Sequence, residues 1–193
     1  MKICGVDYGS KMAGTTVICY YDTITQQLSL EGSEKKKDAD AFLKKSIDVH
    51  KPSYVFIDAP LSLPLVYQDR AGYTDFFFRK VDREVQGMSP LFLGGLTARA
   101  MKLAYDLKPL SFYETYPAAQ SQRMNLKSLG YKTKVAQIAP VLAEINQQYP
   151  AFTIPTIKNW HEVDALLALI GAYRFWKEEH KVLGDVEEGL VYL

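Results

Sequence analysis

The chain has 193 residues, with 23 Lys and Arg against 22 Asp and Glu, 48% hydrophobic residues and two cysteines. It is too apolar to stay disordered and long enough to bury a core without disulfides or a structural metal, so the composition describes one compact soluble domain. A net charge of +1 excludes a protein that coats nucleic acid with a broad basic face, Cys4 and Cys19 form no Cys-x-x-Cys pair, and no apolar run reaches membrane-spanning length.

Met1 to Tyr8 carries one Lys and then an apolar stretch cut by Asp7, unlike a signal peptide, so the expectation is a cytoplasmic protein with reduced core thiols and no membrane partner. Lys2 to Tyr8 and Thr15 to Tyr21 are rich in Val, Ile, Cys and Tyr and flank a Gly/Ser/Lys turn, which predicts two antiparallel strands. A more polar third strand is expected around Gln26 to Glu31, and Lys35 to Lys37 then fall in a solvated loop. Asp38 to Val49 places Ala39, Phe42, Leu43, Ser46 and Ile47 on one helical face, and Lys51-Pro52 ends that helix before a strand at Tyr54 to Asp58. Pro60 to Thr74 reads as a loop leading into an amphipathic stretch from Asp75 to Arg83. Helices are predicted over Leu91 to Leu107, Lys132 to Tyr149 and His161 to about His180, with a short strand at Phe112 to Tyr116. The order describes an α/β domain over residues 1–193. Its mixed five-stranded sheet has strand order 3-2-1-4-5, strand 2 antiparallel, helices on both faces and a capping insertion at about 60–90.

In such a sheet, ligands collect beyond the carboxyl ends of the parallel strands. Asp7 closes the first strand, Asp58 the fourth and Glu114 the fifth, while Asp164 lies in the first turns of the last helix. Carboxylates gathered in a partly desolvated place raise one another's pKa unless a cation neutralises them, and the hard oxygens suit Mg²⁺ or Mn²⁺. Each Asp at a strand end also has an ordinary reading as a turn former or N-cap. For Asp164 that reading fails, because Asn159 and Glu162 already resemble a capping box and Ala165 to Ala172 is apolar all round, leaving an early Asp in need of a partner. His161, three residues before Asp164, shares its helix face and could position water or relay a proton.

Ile3-Cys4-Gly5-Val6-Asp7-Tyr8-Gly9-Ser10 with Gly14 and Thr16, and His161-Glu162-Val163-Asp164-Ala165-Leu166, resemble the first strand and last helix of RuvC-type resolvases of the ribonuclease H-like superfamily. Asp58-Ala59-Pro60-Leu61, Arg79 with Asp82-Arg83, Glu114-Thr115-Tyr116-Pro117 and the tail from Gly184-Asp185 to Glu188-Gly189 extend the match. Together these segments resemble a family described as predicted ribonuclease H-like nucleases. The resemblance implies metal-dependent phosphodiester hydrolysis, with metal ligands at Asp7, Asp58 and Asp164 and with Glu114 and His161 as further catalytic groups. Resolvases carry Glu at the position of Asp58, and no junction-binding helices are recognisable here, so the implied activity is that of a nuclease acting on DNA or RNA.

Arg79, Lys80 and Arg83, beside Tyr73 and Phe76 to Phe78, could hold phosphates and stack bases, or form an ordinary amphipathic helix. Gly94-Gly95 before a helix could receive a phosphate on free N–H groups, although glycines are common there. Two rival readings remain. Asp7, Gly9 and Thr15-Thr16 partly match the first hairpin of the actin-like and sugar-kinase-like phosphotransferases, whose two-domain site this chain could supply only as a homodimer. Alternatively, the chain is a degenerate module that binds nucleic acid or protein without catalysis, its acids neutralised by a lysine such as Lys11.

Overall fold

A computed structural model describes residues 1–193. Strands β1 (Lys2–Asp7), β2 (Val17–Asp22) and β3 (Leu28–Gly32) form the antiparallel meander. Helix α1 (Ala39–His50) starts on Asp38, whose carboxylate accepts from the N–H groups of Asp40 and Ala41, and it ends at Lys51 in the left-handed conformation. It crosses to β4 (Tyr54–Asp58), which lies parallel to β1. The capping segment holds α2 (Lys80–Glu84) and α3 (Pro90–Leu93), followed by α4 (Gly95–Asp106) and then β5 (Ser111–Glu114), parallel to β4. The rest is α5 (Pro117–Arg123), α6 (Ile138–Gln148), α7 (Trp160–Trp176) and a hairpin of β6 (Val182–Asp185) and β7 (Gly189–Tyr192). No helix is long and apolar enough to cross a membrane.

The sheet order is β3-β2-β1-β4-β5-β7-β6, so the chain is an α/β protein with a mixed sheet of seven strands rather than the five expected. The expected order 3-2-1-4-5 is present, and the hairpin extends it beyond β5. The hairpin strands are four residues long, carry Gly184 and Gly189 and join β5 through the single register pair Glu114 and Val191, so they show no run of alternation to read. Two expected helices and the amphipathic stretch also take a different form. The one over 91–107 is broken at Gly94, at φ 49°; the one over 132–149 starts only at Ile138, after a 3₁₀ turn at Val135–Gln137; and the stretch 75–83 is helical only from Lys80.

Alternation along β1 and β4 sets the layers. Ile3 and Phe56 face one core, shared with α6 and α7, while Cys4, Val6, Val55 and Ile57 face a second core against α1 and α4. Burial on both faces is why these strands read as nearly continuous apolar runs. For the same reason α7 is apolar all round: every residue from Val163 to Ala172 is buried. The approach of α7 to β1 needs Gly5, because a Cβ there would lie 2.0 Å from the backbone nitrogen of Leu169 and 2.4 Å from the carbonyl carbon of Ala168. Neither atom can swing away, so Gly5→Ala pushes the helix off the strand. We expect a loss of about 2–3 kcal/mol, the upper range for overpacking, read as a melting temperature lower by about 8 °C; an unchanged melt would contradict this close approach.

Candidate active site

Asp7 and Asp58 are register partners at the carboxyl ends of neighbouring parallel strands. Side chains at paired positions emerge side by side, with the strands about 4.8 Å apart. Both lie in step with Ile3 and Phe56, so they face α7. That helix begins at Asn159, whose Oδ1 accepts the Glu162 N–H at 3.1 Å, while the Glu162 carboxylate accepts from Lys158 N at 2.5 Å and Asn159 Nδ2 at 3.0 Å. The cap fixes the first turns of α7, with His161 and Asp164 three residues apart on one face. His161 Nδ1 meets Asp7 Oδ2 at 2.8 Å and so ties the helix start to the end of β1.

Two residues that sequence reasoning missed complete the cluster. The Tyr131 hydroxyl donates to Asp164 Oδ1 at 2.5 Å, and Lys132 Nζ lies 2.5 Å from Asp164 Oδ2. Lys132 was expected inside a helix; instead it sits at φ 59°, two residues after Gly130 at φ 85°, and this left-handed turn swings the ammonium over the acids. Lys11, the lysine offered as an example in the degenerate-module reading, pairs with Asp38 at 3.2 Å on the surface. The Gly130 breaker was the available signal, because a glycine two residues upstream argues for a turn at Lys132.

Burial pushes the Asp164 carboxyl up to about 6, with the charge of Asp7 adding to the rise and Lys132 opposing it. Burial, followed by the charges of Asp7 and Asp164, pushes Asp58 well above the usual carboxylate range. The hydrogen bond that His161 donates to Asp7 raises its imidazole above the ordinary value. Burial would lower the Lys132 ammonium, but Asp164, Asp58 and Asp7 together carry it above its ordinary value. Burial is the largest cause for both raised carboxyls, and the charges of neighbouring acids, which Lys132 only partly offsets, add to it.

Glu114 does not join this cluster. It is the register partner of Ile57, so it projects from the opposite face of the sheet. There the Arg79 guanidinium grips it with Nη2 on Oε1 at 2.6 Å and Nη1 on Oε2 at 2.8 Å, and grips Asp82 with Nη2 on Oδ1 at 2.6 Å and Nε on Oδ2 at 3.2 Å. Arg79 is fully buried, which corrects its expected role in holding nucleic acid: its charge is spent inside the protein. Lys80 and Arg83 are exposed, Lys80 lying 3.9 Å from Glu84 and Arg83 pairing with Asp75 at 2.9 Å over the Phe78 ring. Glu188 fastens the same region, accepting from Leu65 N at 3.1 Å and Lys80 N at 2.7 Å. Arg79, Asp82, Glu114 and Glu188 thus hold the capping segment and the C-terminal hairpin to the sheet.

Thr16 is likewise used internally: its Oγ1 accepts the Gly9 N–H at 3.0 Å and it has no exposed surface, so it presents no hydroxyl to a phosphate. As the side chains stand, no three of His, Cys, Asp and Glu are grouped to close around a metal ion. The donor chemistry nevertheless fits a hard divalent cation, since Asp7, Asp58 and Asp164 offer only carboxylate oxygens in a place short of positive charge. No protein-family model matches the chain, and no curated protein matches it.

The crowding has a pH signature. A carboxyl raised from 3.8 to about 6 contributes stability that is complete below pH 3.8 and lost as pH rises through about 6, which for Asp164 totals about 3 kcal/mol at 1.36 kcal/mol per unit. Raised Asp58 acts with the same sign, and raised His161 continues the loss above its ordinary 6.5. Asp75, held at about 2 by the Arg83 hydrogen bond, titrates below this window. The metal-free protein is therefore expected to melt about 5 °C lower at pH 8 than at pH 5; a flat or rising melting temperature over that window would refute the crowding.

Proposed function

We propose that the chain is a ribonuclease H-like nuclease, a metal-dependent phosphodiesterase acting on nucleic acid. The observation that carries this reading is the convergence of Asp7, Asp58 and Asp164 at the carboxyl ends of two parallel strands and the start of α7, with the carboxyls of Asp58 and Asp164 raised by burial and, after it, by neighbouring acids. The strand order 3-2-1-4-5 within the sheet supports the fold assignment. Asp7, Asp58 and Asp164 would hold Mg²⁺ or Mn²⁺, which supplies Lewis-acid stabilisation and activated water. His161, anchored through Nδ1 on Asp7, keeps Nε2 free to take or give a proton at the phosphodiester. Lys132 sets a positive charge beside Asp164, where it offsets charge that develops on phosphate oxygens. Calorimetric titration of Mn²⁺ and Mg²⁺ into metal-free protein should show saturable binding that Asp164→Asn abolishes; binding unaffected by that change would place the metal elsewhere and sink the assignment.

A second reading is favoured by one specific contact. The 2.5 Å pair between Lys132 and Asp164 already supplies the acids with a cation, as a degenerate, non-catalytic module would require. In that case wild type binds no metal and Lys132→Met acquires binding, whereas in a nuclease wild type binds metal unaided.

A further inference from the structure

Beside the acids, on the other side of Asp58, a cavity of about 240 Å³ opens between the strand ends and the capping segment. Tyr8, Asp58 and Tyr116 line it from the sheet side, and Val85, Met88 and Leu96 from the other. It is mostly apolar, and it falls below the roughly 300 Å³ at which drug-sized ligand sites begin, so it suits a single ring system. Its polar wall has an unusual balance. The five side-chain donors of Arg79 are all spent, on Ser62, Asp82 and Glu114. Glu114 accepts three hydrogen bonds and so does Asp82, which leaves each carboxylate about one lone-pair site of four. Both line the cavity. Glu114 and Asp82 therefore offer acceptors on this wall, with no guanidinium donor left beside them.

We propose that this cavity takes one unstacked nucleobase of a single-stranded nucleic acid, selecting a base with an exocyclic amino group, while the adjoining phosphate lies over Asp7, Asp58 and Asp164. The proposal rests on the phosphodiesterase reading and deepens it by naming the substrate class. Asp58 is shared between the two compartments, so a base in the cavity brings its own backbone to the acids. Aromatic and apolar walls hold any base by its faces, and a base enclosed in a cavity cannot remain paired in a duplex. A carboxylate accepts from the amino groups of cytosine, adenine or guanine, whereas uracil and thymine present a carbonyl oxygen where cytosine carries its amino group and offer only the ring N3–H, so they are held less tightly.

Gly87 gives the means to close the cavity. Its backbone does not occupy the left-handed region, and a Cβ there would lie 3.1 Å from Val85 Cγ2 and 3.8 Å from the Tyr116 ring, so a longer side chain grows into the space between them. The test titrates adenosine, cytidine, uridine and ribose 5-phosphate into full-length, metal-free protein carrying ¹³C-methyl methionine, reading the Met88 methyl. Adenosine and cytidine should shift it saturably and bind at least about tenfold more tightly than uridine, the span of one good base contact. Gly87→Leu should abolish the shift, and Gly87→Ala, one methyl on the same wall, should weaken it partway. A folded wild type whose Met88 methyl ignores all nucleosides overturns the proposal, as does an equal response to ribose 5-phosphate or an unaltered response in Gly87→Leu. Nucleoside binding without any metal binding leaves the pocket standing and removes the phosphodiesterase reading; metal binding without nucleoside binding does the reverse.

Discussion

Asp7→Asn is expected to lower metal-dependent hydrolysis of nucleic acid by about 10³-fold or more while the protein stays folded. Asparagine keeps the shape and still accepts from His161 Nδ1, so the change removes a charge and little else. A metal Lewis acid contributes several kcal/mol of transition-state stabilisation, and 1.36 kcal/mol is a factor of ten, which sets that magnitude. The metal-free melting temperature should hold or rise, because Asp58 loses a repelling neighbour. Initial rates with Mn²⁺ on single-stranded and duplex oligonucleotides, measured beside circular dichroism melts, check both halves. Hydrolysis surviving at the wild-type rate would remove Asp7 from catalysis.

Arg79→Ala acts on the opposite face of the sheet and by a different route. Removing the guanidinium strands Glu114 and Asp82, both less than 10% exposed, without a cation. Breaking a buried pair by deleting one partner costs about 3–5 kcal/mol, which for a chain of this size lowers the melting temperature by about 10 °C. Arg79→Lys restores the charge but not the fork that reaches two carboxylates at once, so it should recover only part of the loss. A drop below 2 °C in Arg79→Ala would show that the capping segment is held by something else.

These two outcomes bear on what was legible in the sequence. The strand order and the positions of Asp7, Asp58 and Asp164 could be read because Asp7 and Asp58 end apolar strands that both cores bury and Asp164 precedes the apolar run of α7, so composition and place in the chain point the same way. The direction of Glu114 could not be read. It depends on β5 pairing Glu114 with Ile57 and not with Asp58, and a shift of one residue reverses the face. Arg79 looked like surface because arginine beside Lys80 and Arg83 usually is; its burial follows from partners 3 and 35 residues away. Lys132 escaped notice because its role comes from a single left-handed backbone angle in a stretch whose apolar spacing resembled a helix.

Asp7 and His161, joined across the site, are separated by 154 positions in the chain. Loop closure over such a span comes late, after local hairpins and helices have formed. During synthesis the meander and β4 emerge long before α7, and the sheet face around Gly5 waits uncovered until that helix docks. The acid centre is thus complete only once α7 has docked. A nascent or truncated chain has no competent site, and what it exposes instead is an apolar sheet surface of the kind that chaperones recognise and that drives aggregation.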